Sequence, residues 1–190
     1  MTALALTFDD GPDPIGTPLV LEALAEARAR ATFFVIAPRA GAHPELVARI
    51  LQAGHTVGLH CDEHMRHSER DADWCRADTK RALRTLRELD VEPGLWRTPW
   101  GDTAPWTAAV AAEHGLRLIG WTVDTHDWRG DDAAAMYQAT RLQLEPGAIV
   151  LAHDGIGPGA RRDDVGETAA YVHRVAEHGR RHQVGLTALA

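Results

Sequence analysis

Two adjacent carboxylates, Asp9 and Asp10, stand in the run Thr7-Phe8-Asp9-Asp10-Gly11-Pro12. Like charges at one site raise a carboxyl pKa unless a cation offsets them. Asp-Asp-Gly-Pro is also good turn chemistry, and alone it reads first as a solvated turn. Phe8 before it and Gly11-Pro12 after it instead suggest a strand ending sharply at a rim, where function tends to sit. Four more polar clusters follow along the chain. They are His60 with His64, Arg97-Thr98-Pro99-Trp100-Gly101, Asp124-Thr125-His126-Asp127-Trp128, and Leu151-Ala152-His153-Asp154.

Together these residues can supply a metal site, a base, an acid and two orienting partners. His60 and His64 are spaced so that both imidazoles reach one ion across a strand end and the turn after it. With Asp10 they form a two-histidine, one-carboxylate set that leaves positions open for water and substrate. An isolated pair at this spacing is more often two surface histidines. Here it follows a strand-like run, and so do the other clusters. His67, three residues on, is an alternative ligand or a supporting partner. His43, His55, His114, His173, His178 and His182 are expected to be solvated surface groups. Arg97 carries a fork suited to clamping a carboxylate. His153 follows an apolar run and, if oriented by a carboxylate, is a candidate acid. The glycine-rich loop 155–159 lacks the Gly-Lys-Ser/Thr ending of a phosphate loop.

Short apolar runs alternating with amphipathic stretches must position these groups. Strands are expected over residues 3–8, 31–36, 56–59, 95–97, 116–123, 148–151 and 184–189. Helices are expected over 17–30, 44–54, 71–89, 104–114, 132–144 and 163–182. Thr17 is expected to cap the first helix, with Pro18 in its first turn. Trp74, Ala77, Leu83 and Leu86 are expected on one apolar stripe of the third. About seven strands separated by helices imply a parallel sheet covered on both faces. Polar residues follow nearly every strand and not one crevice only. That favours a closed or nearly closed β/α barrel over an open sheet.

The 190 residues are expected to form one domain spanning 1–190. The net charge of -7 argues against a general nucleic-acid binder. No apolar run approaches a bilayer-spanning length. A cytoplasmic protein is expected if Met1 is the native start, and a secreted or cell-wall-associated one if the chain has been trimmed. The two cysteines, Cys61 and Cys75, make no disulfide framework, and reduced thiols are the default over a single bridge.

The five clusters resemble those of the polysaccharide deacetylases (carbohydrate esterase family 4, the NodB-homology domain). The resemblance runs from Thr7 to about Gly155, and its most distinctive element, Thr-Phe-Asp-Asp-Gly-Pro, is intact. It implies a single-domain, distorted (β/α) barrel and metal-dependent hydrolysis of an acetyl group. Carried over by position, Asp9 looks like the catalytic base and Arg97 like its holder. Asp10, His60 and His64 look like the ligands of a divalent metal. Zn2+ leads, with Co2+, Ni2+, Mn2+ and Fe2+ also accommodated. His153 looks like the general acid and Asp127 like its partner. The backbone N–H of Trp100 looks like an oxyanion donor, and Trp128 and Leu151 like walls of an acetyl pocket. The family usually has Ser or Thr where Cys61 follows the first histidine, which puts the support of that loop in question. Cys61 is also a soft alternative ligand. Tyrosine often stands where Trp100 does, a change that a backbone N–H role survives.

The implied substrate is an N-acetylated carbohydrate, with N-acetylglucosamine units of chitooligosaccharide or peptidoglycan type first. Two other readings stand beside it. One is an amidohydrolase acting on a small non-sugar amide or N-acetylated metabolite. The other is an inactive ligand-binding domain.

Overall fold

The computed structural model describes residues 3–190. Strands β1 (Ala3–Asp9), β2 (Ala31–Ile36) and β3 (Thr56–Cys61) form the middle of the sheet. They are buried along almost their whole length, as parallel strands covered on both faces must be. Strands β4 (Leu95–Trp96), β5 (Arg117–Leu118), β6 (Val123–Asp124), β7 (Ile149–His153) and β8 (Gly185–Thr187) complete it. The order is β5-β4-β3-β2-β1-β7-β6. Strand β8 pairs with Ala3–Ala5 at the start of β1, while Leu6 to Asp9 pair with β2. Every pairing among the described residues is parallel.

The expected single strand over 116–123 is instead two short strands at opposite ends of this order. Ile119 N–H still reaches the Trp96 carbonyl on the β4 side, at 2.8 Å, and Thr122 N–H the Ile149 carbonyl on the β7 side, at 2.9 Å. The chain therefore crosses from one edge of the sheet to the other between Leu118 and Val123. Five residue steps span at most about 18 Å. Seven strands laid flat would separate the edges by about 29 Å. The sheet must curl, and it forms an incomplete barrel whose gap is bridged by residues 119–122.

The helices are α1 (Gly16–Ala27), α2 (Ala37–Ala42), α3 (Pro44–Gln52), α4 (Ala72–Arg87), α5 (Thr107–Glu113), α6 (Ala133–Thr140) and α7 (Gly166–His182). Helix α2 was not expected from sequence. It is short and holds both Pro38 and Gly41, so it carries no readable period. Asp71 caps α4 by accepting from Trp74 N–H, and Asp132 caps α6 by accepting from Ala135 N–H. Thr17 does not cap α1. Asp13 accepts the N–H groups of Ile15 and Gly16, and Thr17 turns inward. The buried stripe of α4 is Cys75, Asp78, Thr79, Ala82, Leu83 and Leu86, while Ala77 faces solvent.

The core joins the sheet to the inner helix faces, with Phe8 stacked on Phe33 at 5.3 Å between ring centroids. His55 and His178 belong to this interior and not to the surface. His55 Nδ1 accepts from Ala31 N–H, and His178 bridges the Leu144 carbonyl and the Tyr137 hydroxyl. Each is satisfied, as a buried polar group needs to be. No helix among the described residues is long and apolar enough to cross a membrane.

Candidate active site

Parallel strands bring their carboxyl ends to one rim. Asp9 ends β1 and His153 ends β7, and the two are direct partners in register. His60 lies near the end of β3, Arg97 just after β4, and Asp124 at the end of β6. Residues two apart on a strand share a face. Thr7 and Asp9 accordingly point the same way, and Arg97 Nη1 donates to both, at 2.7 and 2.9 Å. Arg97 Nη2 and Nε donate to the carbonyls of Gly120 and Ile119 in the bridging segment. Its guanidinium lies 4.3 Å from the Phe34 ring centroid. This arginine is wholly buried and ties Asp9 to the segment that spans the barrel gap.

Asp10 stands beside Asp9 with a backbone φ of 72°. That conformation costs a non-glycine residue about 1–3 kcal/mol and needs the surroundings to hold it. Arg39 does so, donating to the Asp10 carbonyl at 2.7 Å and to the Ile156 carbonyl at 3.0 Å. Asp10 Oδ1 lies 3.4 Å from His60 Nε2 and 3.2 Å from His64 Nε2. It is buried and makes no hydrogen bond. Burial would raise this carboxyl, but the two imidazoles overcome that and hold it well below the usual carboxylate range. The His60 Nδ1 edge meets the Arg97 carbonyl at 2.7 Å, which leaves Nε2 free for a ligand. Donor atoms at tetrahedral positions with bonds of about 2.0–2.1 Å are about 3.3 Å apart. The Asp10–His60–His64 set therefore fits a zinc-class divalent ion.

His153 Nδ1 meets Asp127 Oδ1 at 2.7 Å, and His153 N–H donates to Oδ2 at 2.9 Å. Thr168 donates to Oδ2 at 2.8 Å, and Arg162 pairs with the same oxygen at 3.0 Å. Burial opposes the imidazolium. Asp127, with Asp10 and Asp9 further off, raises His153 to about 9. Burial likewise works against the Asp127 carboxylate, but His153 and Arg162 bring it down to about 2. The contacts to Asp127 favour the protonated form of His153, with Nε2 left free to give up a proton.

Asp9, Asp10, His60, His64 and His153 line one cavity of about 370 Å3, together with Trp100, Trp128 and Leu151. All ten candidate residues from the sequence are accounted for. Nine stand at the cavity wall or directly behind it, and Asp127 is held against His153. His67 is elsewhere: it is buried, bonded to Thr107 at 3.0 Å and packed against Trp96. Cys61 is a buried free thiol outside the ligand set, raised by burial and by Asp78 well above its ordinary value.

The loop between His60 and His64 takes its support from α4. The Asp78 carboxylate accepts the N–H groups of Asp62 and Glu63, and Arg81 clasps all three acids. An aspartate on the buried stripe of an amphipathic helix was the available signal for Asp78. Arg162 and Thr168 gave none, since both lie in polar surroundings and acquire roles only through Asp127. Asp154, wholly buried against Gly11 and Thr17 in the segment after β1, accepts from Thr17 at 2.5 Å and is raised by burial to about 7.

Comparison with known proteins identifies relatives of the chain as a whole. The family model described as polysaccharide deacetylase matches residues 2–119. A chitooligosaccharide deacetylase of Bradyrhizobium sp. is 36% identical over 159 residues, covering 83% of this chain and 73% of that protein. A peptidoglycan-N-acetylglucosamine deacetylase of Bacillus cereus is 34% identical over 154 residues, covering 80% and 72%. A family 4 carbohydrate esterase from Streptomyces lividans, solved in complex with acetate, superposes with a TM-score of 0.87 at 28% identity, covering 97% of this chain and 91% of that one. With the matched family spanning β1 to β5 and relatives extending over most of both chains, this protein belongs to the polysaccharide deacetylases.

Proposed function

We propose that this protein is a metal-dependent N-deacetylase of oligo- or polysaccharides containing N-acetylglucosamine, releasing acetate and a free amine. One observation carries the reading. A convergent Asp10–His60–His64 set stands in the same cavity as an arginine-held carboxylate and a carboxylate-held imidazolium. Asp10, His60 and His64 would hold the ion. When bound, it supplies Lewis acidity at the acyl oxygen and a lowered pKa for water.

The chain's own residues do the rest. Asp9, its Oδ1 engaged by Arg97, takes a proton from the attacking water. The Trp100 backbone N–H stabilises the oxyanion that develops. His153 gives its Nε2 proton to the departing nitrogen, and Asp127 keeps the ring in the required orientation. Trp128 and Leu151 wall the space for the methyl group. The chitooligosaccharide and peptidoglycan activities named for the relatives support an acetamido sugar over a small non-sugar amide.

The test is acetate release from N-acetylglucosamine oligomers, with elemental analysis of the same samples. Asp9→Asn and His153→Ala are each expected to lower turnover by about 10²–10⁴-fold, the range of general acid–base contributions. Metal is expected to persist in both and to fall in His60→Ala. Near-normal acetate release by either catalytic variant refutes the assignment.

A further inference from the structure

Most charged groups at the cavity wall are already engaged. Asp9 is held by Arg97, Asp10 by two imidazoles, Asp124 by His126, and Arg162 by Asp127. Arg66 is the exception. It lines the cavity, and its guanidinium makes no hydrogen bond or ion pair among the described residues. It lies over the Trp100 ring at 4.4 Å, and the other neighbour of that indole is His64, at 4.2 Å between centroids. His64 meets the indole edge-on and Arg66 lies over it, so Trp100 links the guanidinium to the ligand set.

The backbone around Arg66 is also anchored. His67 is buried against Trp96 and Thr107. Ser68 donates through its N–H and its hydroxyl to both oxygens of Asp102, at 2.7 and 3.0 Å. That bond clasps the loop after His64 to the loop after Trp100. It also engages both oxygens of Asp102, whose carboxylate feels the charge of Arg66 through space without forming an ion pair with it. A stacked, pre-oriented and unpaired guanidinium is suited to a planar anion, and it loses little freedom on binding one.

We propose that Arg66 is a specificity-determining residue that binds a carboxylate on the sugar unit next to the acetamido sugar. This rests on the proposed function, because it places that neighbour beside the reacting unit. The structure thereby favours acidic glycans over neutral chitooligosaccharides of equal length.

The experiment measures equilibrium binding in the Asp9→Asn background, where turnover is suppressed. The two ligands are a neutral N-acetylglucosamine tetramer and a tetramer whose alternate units carry a lactyl carboxylate. The acidic ligand is expected to bind about tenfold tighter, the scale of a hydrogen bond to a charged group. Arg66→Ala is expected to remove that preference while changing the neutral affinity less than about twofold. Arg66→Lys is expected to restore part of it. Arg161→Ala, on an exposed arginine over Trp128, is expected to leave it intact. Equal affinities for the two ligands, or equal losses on both in Arg66→Ala, overturn the inference. A carboxylate preference without acetate release by the unsubstituted protein would instead overturn the deacetylase reading.

Discussion

Asp127 receives His153, Arg162 and Thr168 on its two oxygens, and these contacts favour the charged forms of the buried carboxylate and the half-buried imidazole together. His153 has an ordinary value of 6.5 and stands near 9 in the fold. Its contribution to stability is fully present below 6.5 and is lost as pH rises through about 9. Asp127 has an ordinary value of 3.8 and stands near 2, so its contribution is present above 3.8 and is lost as pH falls through about 2. The same shift keeps the candidate acid protonated at neutral pH. Asp127→Asn removes the leading cause that raises His153. The alkaline limb of kcat/KM is therefore expected to move down by at least about one unit, with a lower maximum. An unmoved limb in a pH–rate profile would assign that limb to another group. His153 itself could be singled out from its place after an apolar run, whereas Arg162 could not, because nothing near it in sequence reveals a partner 35 residues away.

Loops and helices decide whether the ligand set can form. The loop after β7 packs onto Asp10 so closely that a Cβ on Gly157 would sit 2.0 Å from Asp10 Oδ2. Gly159 has a φ of +89° but open space around it. Gly157→Ala is thus expected to displace Asp10 and lower the bound metal per chain. Gly159→Ala is expected to cost only backbone strain of about 1–2 kcal/mol and to keep the metal. Elemental analysis with thermal melts distinguishes them, and normal metal content in Gly157→Ala would refute the close-packing account. Helix α4 makes the second decision. Cys61 is a buried free thiol after the first histidine, and Asp78 supplies two hydrogen bonds to the next two residues. Its burial raises it to about 6, which Arg81 and the two N–H groups oppose. Asp71 and Asp132 are the first residues of the expected helices 71–89 and 132–144, and each caps its helix through its own side chain, a local contact within three residues.

At the scale of the whole molecule the curl of the sheet carries the site, because it turns the ends of non-adjacent strands toward one cavity. Leu6, wholly buried on the central strand β1, anchors that sheet. Leu6→Ala is expected to destabilise the fold by about 2–5 kcal/mol in urea unfolding. A loss below about 1 kcal/mol would show that the site can collapse around the missing side chain. The sequence alone determined the alternation of strands and helices, the chemical inventory and the order of the clusters. Those follow from periodicity and from residue types, which are local properties. Only the tertiary structure decided that residues 116–123 divide between two edges, that His64 and not His67 joins Asp10, and that His55 and His178 are internal. It also decided that Asp78, Arg162 and Thr168 support the site. Each of these is a choice of partner across long stretches of chain. Such choices depend on which surfaces meet once the sheet has curled, and no short segment of sequence contains that information.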